Sequence, residues 1–313
     1  MQLLIYNLLF PVAFLLYLPA FVSKLIRRGG YGRHFGERFG LFTRSQRMSL
    51  AELNAPVWVH AVSVGEVVAA VSFIQTWQLR RPDLCFVLST TTTTGHAMAE
   101  KKLPATVRLI YCPLDFPFAV RRALNLVQPR LLAIFEVEIW PNLVSSAQRR
   151  GIPIALVNGR MSDKSATGYA RHRWFFKPVL ETFSLFCMQT DSDSARIRKV
   201  IDDSVPVYVC NTMKFDQITD PDTGKTASYV ERIFGPGPRL IWTAGSTHPG
   251  EEALVVEAFK RLKPDFPQLK LILVPRHHER TADVEKILTD HGLVYQLREP
   301  REREKSTASG AES

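Results

Sequence analysis

The first part of the sequence lacks charge. No charged side chain lies between residues 3 and 22, and four basic residues follow between positions 24 and 33. About 20 apolar residues suffice to cross a bilayer, so this stretch predicts a membrane anchor. No basic segment precedes it and no small-residue cleavage site follows it, which argues against a cleaved signal peptide. The positive charge after it predicts that the rest of the chain lies on the cytoplasmic face of the inner membrane. Pro11 and Pro19 leave open whether the anchor spans the membrane or lies in its surface.

The sequence also has few cysteines, and none forms a C-x-x-C pair. They stand far apart, at Cys85, Cys112, Cys187 and Cys210. We therefore expect reduced, buried thiols rather than disulfides or metal ligands. The adjacent His277 and His278 do not have the i, i+4 spacing of a zinc pair. These patterns predict neither a metal site nor a cofactor.

The composition is that of a globular protein with a basic surface. A chain of 313 residues is long enough for two lobes. With 46% hydrophobic and 22% charged residues, its composition is too apolar for a disordered chain. The formal net charge of +10 favours acidic partners such as nucleic acid, anionic lipids or phosphorylated substrates. A membrane anchor argues against nucleic acid as the partner.

From residue 57 onward, short apolar runs alternate with amphipathic stretches. Continuous apolar runs are typical of parallel strands that are buried on both faces. The runs lie at residues 57–62, 84–89, 107–111, 131–135, 152–157, 185–189 and 205–210. Helical patterns lie between them, one of which covers residues 168–183. The alternation predicts an α/β fold with a doubly wound sheet.

A stretch rich in turn-forming residues, 216–238, interrupts this rhythm and predicts an interdomain linker. A second α/β unit follows, with strands at 240–244 and 269–274 and a weak third candidate at 293–295. Two or three strands do not complete a doubly wound domain, so we expect a truncated second lobe. The predicted organisation is an anchor (1–28), an N-terminal Rossmann-like domain (29–212), a linker (213–238) and a partial C-terminal domain (239–313).

The first strand leads into HAVSVGE at residues 60–66, where doubly wound folds bind ligands. Ser63 and Gly65 are small enough for a substrate to approach the backbone, and a helix start offers free N–H groups. The same spacing makes Ser63 and Glu66 a capping box, the structural alternative. A helix N-terminus stabilises a carboxylate and makes it a weaker base.

Two further carboxylates, Glu136 and Glu138, follow the fourth strand and precede Pro141. A proline at a helix start is ordinary, whereas two acids at the ligand-binding edge of a sheet are less so. On pattern alone, a structural and a catalytic role are equally supported.

The segment after the fifth strand mixes basic and aromatic residues. It contains Arg160, Arg171 and Arg173 among several aromatic side chains. Such mixtures bind single-stranded nucleic acid or hold phosphorylated lipid at a membrane surface. A helix with a solvated basic face is the structural alternative.

In the second unit, AGSTHPGEE joins a strand to a helix and predicts a phosphate or nucleotide loop, with Ser246 and Thr247 as binding residues. This stretch lacks the G-K-[ST] of a Walker A motif. Arg276 follows the next strand, at the same predicted edge of the sheet.

Taken together, a series of motifs resembles the 3-deoxy-D-manno-octulosonic acid (Kdo) transferases of lipopolysaccharide assembly. In order, they are RHFGERFG (33–40), HAVSVGE (60–66), STTTTTGH (89–96), YCPLD (111–115), EVEIWPNL (136–143), NGRMSDKSATGY (158–169), MKFD (213–216), GSTHPGEE (245–252) and LILVPRHHER (271–280). The resemblance covers nearly the whole chain, and the order of the motifs makes chance improbable.

The resemblance implies a GT-B fold, in which one Rossmann-like lobe binds the lipid acceptor and the other the nucleotide sugar. It implies an inverting, metal-independent transfer of Kdo from CMP-Kdo to a lipid A precursor (lipid IVA). Glu66 would be the general base, and Glu136 or Glu138 the second essential carboxylate. Lys214 and Arg276 would meet the phosphate or carboxylate of the donor. Positive charge alone suggests Arg160, Arg171 and Arg173 for the acceptor phosphates, with anionic inner-membrane lipids as a further partner.

The sequence departs from the family in one respect. Two later stretches of the family that help to hold the cytidine nucleotide, D-x-M-G-E-L and G-G-H-N-x-x-E, have no counterpart here. We therefore expect an incomplete donor site. Two alternatives to the complete enzyme stay open: a catalytically incomplete fragment that binds anionic lipid, and a GT-B enzyme that uses a different nucleotide sugar.

Overall fold

The computed structural model describes residues 2–27, 34–136, 138–213 and 230–297. The chain divides into two compact units, Met1–Asp220 and Pro221–Ser313. The division falls inside the predicted linker, and the finer boundaries of the anchor and the domains stay predictions.

The first unit is built on a seven-stranded parallel sheet with the order β3-β2-β1-β4-β5-β6-β7. Its strands are β1 (Val57–His60), β2 (Phe86–Thr90), β3 (Arg108–Tyr111), β4 (Leu131–Phe135), β5 (Ile154–Gly159), β6 (Leu185–Met188) and β7 (Val207–Val209). The strand order reverses between β1 and β4, because the chain builds outward through β2 and β3 before it crosses back. This is the doubly wound topology that the alternating pattern predicts.

Helices cover both faces of this sheet. The helices of the first unit are α1 (Gln2–Arg27), α2 (Arg44–Ala51), α3 (Val64–Arg80), α4 (Thr93–Lys102), α5 (Pro117–Val127), α6 (Pro141–Gln148), α7 (Asp163–Arg171), α8 (Arg173–Leu180) and α9 (Asp191–Arg198). A 3₁₀ turn, Phe35–Phe39, and α2 precede the first strand. No apolar periodicity in the sequence had predicted these two elements.

Successive strand residues enter two different cores. Trp58 and Leu132 pack in one cluster, whereas Val59, Ala133 and Phe135 pack in the other. Side chains alternate between the faces of a strand, so both faces of the sheet are buried. The prediction of strands buried on both faces is confirmed for β1, β2 and β4 but is wrong for β7, where Tyr208 and Val209 are exposed.

The predicted helix at 168–183 is two helices. α7 ends at Arg171 and α8 begins at Arg173, because His172 between them leaves the helical region at φ −108° and ψ 34°. The basic-aromatic segment therefore changes direction within its length.

The cysteine prediction holds only in part. All four thiols are free, and Cys112 is buried, but Cys210 is exposed. Cys210 directly follows β7, which is the edge strand of the sheet that the described residues form, and its position at this edge leaves it exposed. The expectation that Cys210 is buried is therefore wrong.

Among the described residues, α1 is the one helix long and apolar enough to cross a membrane. Its segment Gln2–Ala20 has a mean hydropathy of 2.0. Most of its leucines are exposed, and the side that faces the protein contacts Phe116, Asn142 and Phe175.

The described part of the second unit is smaller. Strands β8 (Leu240–Thr247) and β9 (Leu269–Pro275) form a parallel pair, flanked by helices α10 (Glu251–Leu262) and α11 (Thr281–Asp290). The weak third candidate at residues 293–295 is not a strand.

Candidate active site

The point where the sheet order reverses lies between β1 and β4. Ligands of doubly wound folds bind at this position, beyond the carboxyl ends of the strands. The loop after β1 carries Ser63, Gly65 and Glu66, and the loop after β4 carries Glu136 and Glu138. The topology therefore brings the predicted carboxylates of two distant motifs to one edge.

Glu66 is buried at the first turn of α3. Its carboxylate accepts hydrogen bonds from the backbone N–H groups of Val62 at 2.9 Å and Ser63 at 3.2 Å, while its own N–H donates to the Ser63 hydroxyl at 3.3 Å. The capping box is thus present. Because the backbone fixes both oxygens, the position of this carboxylate is set before any ligand arrives.

Gly65, in the same turn, is not required by the packing of the chain. A Cβ added there would meet only the Ser63 hydroxyl, at 4.0 Å. At Gly95, by contrast, a Cβ would lie 2.8 Å from the Thr92 hydroxyl and 3.0 Å from the carbonyl oxygen of Val62. The space beside Gly65 therefore opens away from the protein, as a ligand-binding turn requires.

Glu136 adopts a left-handed backbone, with φ 55°. A residue other than glycine rarely takes this conformation, and such strain is often found at functional sites. The backbone N–H of Glu136 donates to the carbonyl oxygen of Val157 at 3.0 Å, which fixes the turn to β5. This turn directs the chain toward Glu138.

Glu138 is half-buried and close to other carboxylates. Burial raises the pKa of Glu138 to about 7, and the negative charges of Glu66 and Glu136 add to the shift. In this Glu66–Glu138 pair, the Glu138 carboxyl can therefore take or release a proton near neutral pH, which is the property that general acid–base chemistry needs.

Tyr169, in α7, lies beside the carboxylate pair. Burial raises the pKa of its phenol, and the charge of Glu138 raises it further. Its ring stacks on Phe176 at 4.2 Å between centroids. The basic-aromatic segment therefore borders the site through this tyrosine, which the sequence analysis did not single out.

The floor of the site contains a buried polar network. The Trp58 ring N–H donates to the Ser89 hydroxyl at 2.8 Å, and that hydroxyl lies 2.9 Å from His60 Nδ1. Burial lowers the pKa of His60 to about 4, so its ring is neutral. This network supports the end of β1, from which the Glu66 loop begins.

A second buried cluster uses the RHFGERFG motif. The Glu37 carboxylate accepts the backbone N–H of Tyr111 at 2.6 Å and contacts His34 Nδ1 at 2.7 Å. The Tyr111 ring stacks on His96 at 3.9 Å and lies 4.1 Å from the Arg38 guanidinium carbon. The motif thus secures the ends of β2 and β3 beside the site.

The three arginines proposed for acceptor phosphates differ in their surroundings. Arg160 and Arg171 are exposed. The Arg173 guanidinium donates to the carbonyl oxygen of Val200 and to the Asp202 carboxylate, both at 2.9 Å. Arg173 therefore already has structural partners, and a phosphate contact by any of the three stays a prediction.

In the second unit, the predicted donor-binding residues lie at one edge of the β8–β9 pair. Ser246 is exposed with φ 60°, and the Arg276 N–H donates to the Thr247 carbonyl oxygen at 2.9 Å. The Thr247 side chain is buried and donates to the Glu252 carboxylate at 2.9 Å. Lys214 lies outside the described residues.

Glu252 and Arg280 join two motifs of this unit. The Arg280 guanidinium contacts both oxygens of the buried Glu252 carboxylate, at 2.7 and 3.2 Å. Hydrogen bonding to Arg280 lowers the pKa of Glu252. The ion pair ties the GSTHPGEE loop to the LILVPRHHER stretch, a link the sequence did not reveal because its partners are 28 residues apart.

The described residues contain no group of three or more His, Cys, Asp and Glu side chains that could hold a metal ion. The carboxylates at the edge of the first unit are groups that can transfer protons.

Comparisons with known proteins identify relatives of this chain. A family model described as "3-Deoxy-D-manno-octulosonic-acid transferase (kdotransferase)" matches residues 33–217. A 3-deoxy-D-manno-octulosonic acid transferase of Haemophilus influenzae is 30% identical over 260 residues, which cover 82% of this chain and 59% of the relative. One of Bordetella pertussis is 33% identical over 282 residues, covering 87% and 63%. The chain thus spans about three-fifths of the length of these two relatives.

Solved structures share the fold at low identity. A UDP-GlcNAc 2-epimerase of Neisseria meningitidis bound to UDP-GlcNAc has a TM-score of 0.55 and 12% identity, covering 79% of this chain and 72% of its own. A glycosyltransferase of Rickettsia africae has a TM-score of 0.50 and 11% identity, covering 77% and 66%. These likenesses confirm the α/β fold class of the GT-B type.

Proposed function

The chain belongs to the 3-deoxy-D-manno-octulosonic-acid transferase (kdotransferase) family, and from this premise we propose that it transfers Kdo from CMP-Kdo to a lipid A precursor, lipid IVA. The reaction belongs to lipopolysaccharide biosynthesis, inverts the anomeric carbon and uses no metal. The observation that carries the proposal is the Glu66–Glu138 pair at the reversal point of the first sheet, in a family that transfers a sugar.

In the proposed step, an acceptor hydroxyl attacks the anomeric carbon of Kdo while the bond from that carbon to the CMP phosphate breaks. The hydroxyl proton passes to the carboxylate pair, and negative charge leaves on the phosphate. Glu66, held by two backbone N–H groups, is the group that meets the hydroxyl. Glu138, with a pKa of about 7, lets the pair keep the proton at neutral pH.

The donor is assigned to the second unit. Ser246, Thr247 and Arg276 of this unit are proposed to bind CMP-Kdo, where a cation offsets the charge that grows on the leaving phosphate. Lys214, which lies outside the described residues, is proposed as a further donor contact. Thr247 would act through its backbone, since its hydroxyl already bonds Glu252.

The acceptor is assigned to the first unit. Arg160 and Arg171 are exposed and are proposed to meet the acceptor phosphates, with Arg173 as the weaker candidate because Asp202 engages it. The apolar α1 is proposed to attach this unit to anionic lipids on the cytoplasmic face of the inner membrane.

The test is Kdo transfer in vitro by the detergent-solubilised protein, with CMP-Kdo generated in situ and a tetraacylated lipid A precursor. Glu66→Gln and Glu138→Gln should each lower the rate by about 10²–10⁴-fold, the usual contribution of a general acid or base. Glu136→Gln is the matched control, for which we expect less than about a tenfold loss.

Equal rates for Glu138→Gln and the unchanged protein would remove Glu138 from the mechanism. Transfer from a UDP-sugar, with none from CMP-Kdo, would assign a different donor and refute the proposed reaction.

A further inference from the structure

Two polar side chains interrupt the apolar first half of α1. Asn7 Oδ1 accepts a hydrogen bond from Asn142 Nδ2 at 2.6 Å, and the Tyr6 hydroxyl bonds the Asp115 carboxylate. Asp115 is fully buried and also accepts the backbone N–H groups of Asn142 at 2.8 Å and Leu143 at 2.9 Å. These bonds clamp α1 to the first turn of α6.

Ring contacts extend the clamp along the helix. Phe10 and Phe14 lie 5.1 and 5.4 Å from Phe116, and Tyr6 lies 6.4 Å from Phe175. Near the helix start, the Gln2 side chain donates to a backbone carbonyl of α8 at 3.2 Å. The contacting residues recur every three or four positions, which is one face of a helix, over about 18 Å of its length.

The opposite face of α1 is apolar and exposed. Leu8 is 66% and Leu16 is 80% exposed. Beside the helix, Phe118 and Trp174 are exposed as well, and the Arg122 guanidinium carbon lies 5.5 Å from the Phe118 ring centre. An apolar strip bordered by a cation fits the headgroup region of an anionic leaflet.

The clamp holds the N-terminal half of α1, whereas a spanning helix could contact the protein only near its C-terminal end. If α1 crossed the bilayer, the basic residues at positions 24–33 would keep its C-terminal end on the side of the protein. Its N-terminal half would then lie toward the far leaflet, across a hydrocarbon core of about 30 Å. That half is the one in contact with Asp115, Asn142 and Phe116. Spanning would therefore break the clamp and leave Asn7 and Asp115 without these partners.

We propose that α1 does not cross the membrane but lies in the plane of one leaflet, docked along the first unit, with its outer face among anionic lipids. The proposal takes from the proposed function only that the chain meets a membrane. Asn142 lies four residues after Glu138, so the same clamp joins the membrane helix to the segment that carries the candidate site.

The first test locates the two ends of the chain. Epitope tags at the N- and C-termini are exposed to protease in inside-out membrane vesicles. Both tags should be cut from the same side. Protection of the N-terminal tag while the C-terminal tag is cut would mean a spanning helix and would overturn the proposal.

The second test measures the docking itself in membranes. In a background with Cys85, Cys187 and Cys210 replaced by serine, Phe10→Cys with Phe116→Cys should cross-link through a short bismaleimide. The buried Cys112 stays, because burial raises the pKa of its thiol. Leu16→Cys with Phe116→Cys is the control, since Leu16 lies on the outer face. No cross-link from the first pair, or equal cross-linking from both, contradicts docking.

The third test separates the membrane geometry from membrane attachment as such. Association with vesicles of phosphatidylcholine, with and without phosphatidylglycerol, is measured by flotation. Arg122→Gln should weaken binding to the anionic vesicles about fivefold. Arg130→Gln should not weaken it: Arg130 is an exposed cation whose backbone N–H donates to the carbonyl oxygen of Pro56, just before β1, rather than lying beside α1.

Equal losses for both arginine variants would contradict the assigned surface. Absence of any vesicle binding by the unchanged protein would refute the anchor of the proposed function, and with it this proposal.

Discussion

The two units support their loops in different ways. The first has a sheet buried on both faces, with clusters that include Trp58 and Phe135. Within residues 230–297 of the second, the buried apolar side chains are Val256, Leu269 and Val284. A site that must hold two carboxylates close together needs a rigid frame, and the first unit supplies it.

The loops after the strands show the same contrast. Glu66 is fixed mainly by backbone N–H groups at a helix start. In the second unit, the loop after β8 depends on the Glu252–Arg280 ion pair and the Thr247 hydroxyl. The first arrangement depends mainly on neutral backbone groups and one hydroxyl, whereas the second depends on charge.

The largest expected effect is a loss of stability that differs between the cores of the two units when one leucine in each is replaced by alanine. Leu132→Ala, in β4, should lower the free energy of unfolding by about 3–5 kcal/mol, because the packed surroundings cannot collapse into the cavity. Leu269→Ala, at the start of β9, should cost about 2 kcal/mol or less, because its neighbours in the thin second unit can relax. Hydrogen exchange measured by mass spectrometry reports each unit separately. Equal losses of protection in the two units would contradict the contrast between their cores.

A smaller effect separates the units by pH. The lowered pKa of Glu252 means that its contribution to stability is present above the unfolded value of 4.5 and is lost as pH falls below it. Acidification from pH 5 should therefore open α10 and β9, measured by exchange rates corrected for their intrinsic pH dependence. Arg280→Gln should remove most of this pH dependence. If the variant keeps it in full, the ion pair does not hold the loop.

Thr247→Val tests the same loop without changing a charge. It removes the hydroxyl that donates to the buried Glu252 carboxylate, so it should lower the stability of the second unit by about 1–2 kcal/mol. An exchange pattern unchanged in residues 240–275 would show that this hydrogen bond is not needed.

The smallest expected effect concerns the helix caps of the first unit. Ser63→Ala and Ser162→Ala each remove an N-cap hydroxyl, from α3 and α7, at a cost of about 1 kcal/mol. Ser63→Ala should in addition lower the rate of Kdo transfer, since Ser63 holds the turn that carries Glu66. Thermal unfolding and transfer assays on the pair check this. A matching loss of transfer in Ser162→Ala would show that the cap acts only through stability.

Much of this fold follows from the sequence, because buried parallel strands read as continuous apolar runs. The run at 131–135 coincides with β4, and the runs in the second unit predicted β8 and β9. The helix break at His172 and the exposure of Cys210 could not be predicted from such apolar runs. Both depend on the packing around a segment and on its place in the sheet rather than on its composition.

The candidate site was predictable in its carboxylates but not in their pairing. Motif positions after β1 and β4 indicated Glu66, Glu136 and Glu138. Only the fold separates the last two, through the strained turn at Glu136 and the raised pKa of Glu138. Asn7 was an overlooked signal, since a polar amide in an apolar helix requires a partner, and the partner is Asn142.

The pH dependence of unfolding tests most directly whether Glu138 lies in a buried site beside other carboxylates. Its pKa is raised from 4.5 to about 7, so the stability that it contributes is complete below pH 4.5 and is lost as pH rises to about 7. Glu138→Gln removes this loss. The variant should be more stable than the unchanged protein at pH 8, by roughly 1–2 kcal/mol after allowance for its partial exposure.

At pH 4.5 the two proteins should unfold at nearly the same temperature, and Glu136→Gln should show a smaller difference at both pH values. This result would establish a proton held at the edge of the first sheet. A Glu138→Gln variant with no gain at pH 8, or with the same gain at both pH values, would contradict the carboxylate pair on which the account rests.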